Sequence, residues 1–135
     1  MKKILLVVLV LLFSVIKGYC VEVKHQLSTH ILDVSKGVGA PEVEVQLFKQ
    51  VKENNTWVLI DRKKTDSNGR IKEFLLLGDG IDNKGIYKLV FLVAEYFKGD
   101  TFYPEVDVVF EIIDDSHYHV PITISNFGYS TYRGN

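Results

Sequence analysis

Three side chains in this sequence have the chemistry to activate a water molecule. His30 lies within an extended apolar run, Arg70 follows a turn at residues 66–69, and His119 begins the last apolar run. Histidine titrates near neutral pH and can take a proton from water. An arginine fixed at a turn offers a fork of donors to a carbonyl oxygen or an anion. The sequence contains no serine nucleophile elbow, glycine-rich phosphate loop or cysteine–histidine pair, so the chemistry it favours is histidine acid–base work assisted by arginine.

The carboxyl terminus also carries polar groups. Chain ends commonly fray and are polar. This chain instead ends in YSTYRGN at residues 129–135, shortly after HYHVP at residues 117–121. Aromatic, hydroxyl and guanidinium side chains are concentrated there, so we predict an ordered, buried terminus that forms part of a polar site.

The elements that position these residues are predicted to be strands. Period-2 alternation recurs in short segments, with turn signals about every eight to twelve residues. The segments are 26–34, 43–52, 56–64, 70–75, 86–96, 104–113, 119–125 and 129–132. This pattern predicts an all-β fold, an eight-stranded antiparallel β-sandwich, with one short helix around residues 97–102.

Strand periodicity also assigns faces. Successive side chains of a strand point to opposite sides, so His30 shares a face with Ser28, opposite the more apolar row. His119 likewise lies opposite the apolar row of its strand, and Ser130 shares a face with Tyr132. Taken alone, each histidine is equally well explained as an ordinary surface residue, because polar residues are normally exposed.

The remaining histidines give weaker signals. We interpret His25 and His117 as bystanders. His117 and His119 are two residues apart and point the same way along an extended strand, which is one way to hold zinc. The chain after residue 20 has no cysteine and no obvious paired carboxylate, so we predict no metal site.

The first twenty residues have the pattern of a secretory signal peptide. Two lysines precede an apolar run at residues 4–16, and Gly18 and Cys20 are small residues suited to cleavage before Val21. The run is short for a membrane span. We predict a signal peptide at residues 1–20 and a single domain at residues 21–135, periplasmic or secreted, with an uncleaved anchor or a lipidated Cys20 as alternatives.

Charge and cysteine content narrow the classes of partner. Three of the 16 basic residues and none of the 17 acidic residues lie in the first twenty, which leaves 13 against 17, a net charge of −4 with neutral histidines. A mildly acidic domain without a basic cluster binds nucleic acid poorly. The only cysteine leaves with the signal, so the domain has no disulfide. We predict no nucleic-acid partner and no membrane contact after cleavage.

Several short segments, taken in order and spacing, resemble the transthyretin family and, within it, the 5-hydroxyisourate hydrolases. The resemblance covers nearly all of residues 27–135. The segments are THILD at 29–33, GAP at 39–41, TDSNGR at 65–70, GIYK at 85–88, EYF at 95–97, FYPE at 102–105, HYHVP at 117–121 and YSTYRG at 129–134.

The resemblance implies roles for individual residues. His30, Arg70 and His119 stand at the positions of the family's catalytic histidine, arginine and second histidine. Substrate contacts are implied for His30 and Arg70, and also for Tyr132 and Ser130. Asn135 is a further implied contact; it stands where serine is usual, and its amide can still donate and accept hydrogen bonds.

The resemblance also implies an activity and an assembly. The expected reaction is hydrolysis of 5-hydroxyisourate to 2-oxo-4-hydroxy-4-carboxy-5-ureidoimidazoline in urate degradation, without metal or organic cofactor. The expected assembly is a homotetramer, a dimer of dimers, with the candidate residues lining a central channel. The resemblance leaves open whether His30 or His119 is the general base. The alternatives are a non-catalytic carrier of a small ligand with the same fold and a non-catalytic extracellular sandwich for adhesion or scaffolding.

Overall fold

The computed structural model describes residue 18 and residues 20–135, which fold into two packed β-sheets. The strands of this part of the chain are β1 (Lys24–Asp33), β2 (Val38–Gly39), β3 (Glu44–Gln50), β4 (Trp57–Lys64), β5 (Arg70–Leu77), β6 (Gly85–Phe91), β7 (Val106–Ile112), β8 (Tyr118–His119), β9 (Ile122–Ser125) and β10 (Gly128–Thr131). The predicted signal peptide falls almost entirely on residues 1–17 and 19, outside the described residues. No described segment forms a helix that is long and apolar enough to cross a bilayer.

The larger sheet has β1 at its centre. On one side of β1, β5 pairs antiparallel with residues 24–30 and β2 pairs antiparallel with residues 32–33. On the other side, β8 pairs parallel with residues 27–28 and β9 pairs parallel with residues 31–33. The last strand, β10, pairs with β9. The smaller sheet has the order β4–β3–β6–β7 and is antiparallel throughout.

The apolar rows of the two sheets face each other and form one core, as expected for a sandwich. Leu27 and Ile31 of β1 are fully buried there, against Leu47 of β3 and Leu89 of β6. Because side chains alternate along a strand, this packing leaves Ser28 and His30 of β1 on the outer face of the larger sheet.

The predicted sandwich is confirmed, with three differences. Eight strands have four residues or more, as predicted, and two further strands have only two residues each. β1 runs in the same direction as β8 and β9, so these two pairings are parallel, whereas an antiparallel sandwich was predicted. No helix forms at residues 97–102 within the described chain.

Backbone conformation explains the missing helix. The chain leaves β6 at Phe91 rather than at residue 96, and Phe97 donates a single helical hydrogen bond to the Val93 carbonyl at 3.2 Å. Lys98 and Gly99 then adopt left-handed conformations, with φ of 53° and 80°. Left-handed residues end a helix, so the segment stays a series of turns.

Candidate active site

The larger sheet brings His30, Arg70 and His119 together on its outer face. His30 and Arg70 are direct partners across β1 and β5, and Ser28 is the direct partner of His119 across β1 and β8. Directly paired residues share a face, and so do residues two apart on one strand. The three predicted catalytic side chains therefore lie on one face, with both histidines partly buried and Arg70 exposed.

A tight turn fixes the position of Arg70. The Asp66 carboxylate accepts hydrogen bonds from the backbone amides of Asn68 at 2.8 Å and Arg70 at 3.0 Å. The Gly69 amide donates to the Asp66 carbonyl at 2.9 Å, and the Gly69 carbonyl accepts from the Ile31 amide at 2.8 Å. The aspartate closes the turn as this residue type commonly does, and the last bond ties the turn to β1 beside His30.

The same turn packs closely against β2 because β2 has a glycine, Gly39, at the point of contact. Gly39 pairs with Leu32 of β1 and lies flat against the peptide of Asn68. A β-carbon added at Gly39 would lie 1.9 Å from the Asn68 carbonyl oxygen and 2.3 Å from its carbonyl carbon. The close approach of two backbones therefore sets how near the turn, and with it Arg70, comes to β1.

The carboxyl-terminal residues hold His119. The Gly134 amide donates to the His119 carbonyl at 2.8 Å in an isolated antiparallel bridge. The guanidinium of Arg133 lies 4.8 Å from the centre of the buried Tyr118 ring, within the range of a cation–π contact. The terminus thus pairs with the sheet through Gly134. The prediction that the terminus is buried is wrong, since most of its residues are exposed.

Replacing Gly134 with alanine should displace His119. The new β-carbon would lie 2.4 Å from Cδ2 of the His119 ring and 3.1 Å from Cγ, so the ring or the tail must move. Active-site geometry is sensitive to shifts of this size, and we expect kcat to fall about 10-fold or more. Initial rates of 5-hydroxyisourate hydrolysis, the reaction that the resemblance implies, measure the change in kcat.

Gly128, at the start of β10, offers a matched control for Gly134→Ala. A β-carbon at Gly128 would meet only Ser125 Oγ, at 3.7 Å, an ordinary contact. Gly128→Ala should therefore keep the wild-type rate. Equal rates for both variants would show that the tail does not position His119.

The other predicted substrate-binding residues, Ser130, Tyr132 and Asn135, make no hydrogen bond to this cluster in the described chain. The Ser130 hydroxyl lies 2.6 Å from that of Thr123, its partner across β9 and β10. Tyr132 lies just beyond β10 and is 59% exposed. Asn135 is exposed at the chain end. Among the described residues, no hydrogen bond joins these three to the histidines or to Arg70, so their contact with substrate stays a prediction.

Two residues that the sequence analysis did not assign to the site belong to this cluster. His117 Nε2 and His119 Nδ1 each lie 2.8 Å from Ser28 Oγ. His117 Nδ1 lies 3.1 Å from the backbone carbonyl oxygen of His25. His117, interpreted above as a bystander, is thus joined to His119 through the Ser28 hydroxyl. Strand alternation places His117 on the face of His119 and Ser28 on the face of His30, but it does not show that these two faces meet.

The surroundings of His30 favour its neutral form. Partial burial is the main cause that lowers the pKa of His30, because it disfavours the charged ring, and the nearby positive charge of Arg70 adds to the effect. A backbone hydrogen bond at Asn68 and the negative charge of Asp66 oppose this shift in pKa without reversing it.

His119 experiences the same influences. Burial lowers the pKa of His119 most, followed by the charges of Arg70, His30 and His117, while a backbone hydrogen bond at Ser28 acts in the opposite direction. A general base must be unprotonated at the working pH. Both imidazoles are therefore suited to take a proton from water near neutrality, beside a cation that can stabilise a developing oxyanion.

Removing the charge of Arg70 should raise the pKa of both histidines. The pKa of a free histidine is about 6.5. The folded chain holds the pKa of both histidines below this value, so they become charged only as the pH falls further. In Arg70→Gln one cause of the lowering is gone, and NMR titration of the two rings should show both pKa values moving up. Arg70→Lys keeps the charge and should keep both values low; unchanged values in Arg70→Gln would contradict the coupling.

Comparison with known proteins is in line with this geometry. Residues 27–134 match the model of the HIUase/Transthyretin family. A 5-hydroxyisourate hydrolase of Salmonella dublin is 44% identical over 112 residues, covering 80% of this chain and 79% of the relative. A probable 5-hydroxyisourate hydrolase of Caenorhabditis elegans is 40% identical over 116 residues, covering 80% of each.

A solved structure gives the same result for the fold. The crystal structure of transthyretin from Sparus aurata superposes with a TM-score of 0.72 at 25% identity, covering 82% of this chain and 97% of that one. The resemblance noted from the short segments is thus confirmed over residues 27–134. The chain belongs to the HIUase/Transthyretin family.

Proposed function

We propose that this protein is an enzyme that hydrolyses 5-hydroxyisourate to 2-oxo-4-hydroxy-4-carboxy-5-ureidoimidazoline in urate degradation. The observation that carries the proposal is the convergence of two histidines and one arginine on a single sheet face. Similarity to relatives named 5-hydroxyisourate hydrolases supports the choice of substrate.

The residues divide the reaction between them. A neutral imidazole, His30 or His119, takes a proton from water as the oxygen attacks the carbonyl carbon of a ring amide. The carbonyl oxygen becomes an oxyanion beside the guanidinium of Arg70, an interaction typically worth about 3 kcal/mol. The imidazolium then returns the proton to the ring nitrogen as the carbon–nitrogen bond breaks. The ring opens, and the water has supplied a hydroxyl group to the carbon and a proton to the nitrogen.

Assembly is part of the proposal. We propose a homotetramer, a dimer of dimers, in which another copy closes the open face that carries His30 and Arg70. Exposure of Arg70 in the single chain supports this, since oxyanion stabilisation is strongest where water is excluded. In the closed channel, Ser130, Tyr132 and Asn135 bind the substrate. Cleavage of residues 1–20 and export to the periplasm or the exterior complete the proposal.

One experiment tests activity and assembly together. Residues 21–135 are purified, their mass in solution is measured by light scattering, and freshly generated 5-hydroxyisourate is added while its absorbance is followed. We expect a particle of about four chains and decay much faster than the spontaneous reaction. Decay at the spontaneous rate would overturn the proposed activity, and a monomer would overturn the assembly.

A carrier role is the alternative to test in the same samples. Similarity in fold to a transthyretin is the observation that keeps it in view. A carrier would bind a small aromatic molecule stoichiometrically without turnover. Binding without accelerated decay would therefore favour the carrier, whereas multiple turnovers would favour the hydrolase.

A further inference from the structure

We propose that Ser28 and His117 form a hydrogen-bonded chain that fixes the tautomer of His119 and carries its proton to the surface. The inference rests on the proposed hydrolysis for its catalytic consequence, while the chain itself can be observed without substrate. It makes His119 the general base, and it makes Ser28 and His117 positioning residues, because both act through His119.

The carbonyl oxygen of His25 determines how the chain is ordered. A carbonyl only accepts hydrogen bonds, so His117 Nδ1, 3.1 Å away, carries the hydrogen of that contact. Neutral His117 then has its lone pair at Nε2, where it accepts the hydroxyl hydrogen of Ser28 across 2.8 Å. With its only hydrogen used in this way, Ser28 Oγ accepts from Nδ1–H of His119, also across 2.8 Å.

This order leaves His119 with a free lone pair on Nε2, the ring nitrogen that Ser28 does not contact. Such a tautomer is what a general base requires, and a hydrogen bond to the other nitrogen is the usual means of selecting it. The ring is held by Ser28 on one side and by Gly134, packed against Cδ2, on the other.

The same three groups can move a proton without breaking contact. When Nε2 of His119 takes a proton from water, the hydrogen on Nδ1 passes to Ser28 Oγ, and the serine hydrogen passes to His117 Nε2. His119 becomes neutral again with its hydrogen on Nε2, and His117 becomes an imidazolium still bonded to the His25 carbonyl. The two hydrogen bonds to Ser28 survive with their direction reversed, the bond from His117 Nδ1 to the His25 carbonyl keeps its direction, and the reverse transfer returns the proton for the leaving nitrogen.

The two ends of the chain differ in their surroundings. A positive His119 ring lies near three groups that disfavour its charge, namely Arg70 on β5, His30 on β1 and His117 just before β8. The first two lower the pKa of His119 more than the third does. His117 is exposed to solvent. Moving the proton to His117 places the charge on a solvent-exposed ring and makes the His119 ring beside Arg70 neutral again, which leaves Arg70 to stabilise the oxyanion.

The tautomer is tested first, by nitrogen-15 NMR of protein labelled at histidine, in the full assembly and without substrate. We expect the His119 signals of the Nδ1–H tautomer in the wild type. Ser28→Ala should shift His119 toward the Nε2–H tautomer, and Ser28→Thr, which keeps the hydroxyl, should restore the wild-type signals. An Nε2–H tautomer in the wild type would overturn the proposal, whether or not the protein hydrolyses 5-hydroxyisourate.

Kinetics then separate the fixing of the tautomer from the transfer of the proton. Ser28→Ala and His117→Ala should each lower kcat about 10-fold with little change in KM, since both residues act through His119. His117→Gln can still accept from Ser28 and donate to the His25 carbonyl, so it should keep the tautomer by NMR but lose kcat, which added imidazole should partly restore. Wild-type kcat in both alanine variants would overturn the proton path, while an inactive wild type would overturn only the proposed function.

Discussion

His119→Gln should lower kcat for 5-hydroxyisourate hydrolysis by about 100- to 10,000-fold, the usual loss on removing a general base. Glutamine is close to histidine in size and can keep a hydrogen bond to Ser28, but its amide cannot take a proton near neutral pH. His119 lies partly buried on the outer face of the sheet, not in the core. We therefore expect the fold to persist and the effect to fall on kcat, measured from initial rates of absorbance loss.

His25→Gln provides the control for this variant. His25 is also a partly buried histidine of the same sheet, and its contribution to the cluster is its backbone carbonyl, which the substitution keeps. We expect a wild-type rate from this variant and unchanged thermal unfolding of both. A His119→Gln protein with full activity would make His30 the base and would contradict the proton path as well.

Gly39→Ala should reduce the free energy of unfolding by about 3 kcal/mol or more, toward the upper end for overpacked sites. The added β-carbon would lie 1.9 Å from a backbone oxygen and 2.9 Å from the Gly69 amide nitrogen, and backbone atoms cannot rotate away as a side chain can. Relief requires β2 to separate from the turn at residues 66–69. Urea unfolding followed by fluorescence measures the loss, and any remaining folded protein should also lose activity because Arg70 moves with the turn.

Gly78→Ala is the matched control for Gly39→Ala. Its β-carbon would meet only Ile81 Cδ1, at 3.8 Å, in a loop between β5 and β6. We expect a change within about 0.5 kcal/mol, as for surface substitutions in general. If Gly39→Ala were as stable as Gly78→Ala, the close approach of β2 to the turn would not be what seats Arg70.

The face of each candidate residue could be predicted from sequence because strand alternation is a local property. His30 and His119 stand opposite apolar rows, and Ser28 shares the face of His30, as the alternation predicted. A turn could likewise be predicted before Arg70 from its aspartate and glycine. These features depend only on residues close together in the chain, and the structure places each of them accordingly.

Partners across the sheet could not be predicted in this way. Ser28 and His117 are separated by 89 residues, and nothing in either local sequence shows that parallel pairing of β1 with β8 brings them together. The local sequence therefore did not link His117 to Ser28. The predicted helix failed for a different reason, since Lys98 adopts a left-handed backbone that its residue type does not indicate.

The central position of β1 has a consequence for biosynthesis. Of the described strands this one is made first, yet one of its sides finds partners only when β8 and β9 have been made. Until then a row of amide and carbonyl groups is open to other chains, and open strand edges promote aggregation. A transcript truncated before Tyr118 would leave that edge open permanently, and its product would accumulate as insoluble protein rather than as a shortened enzyme.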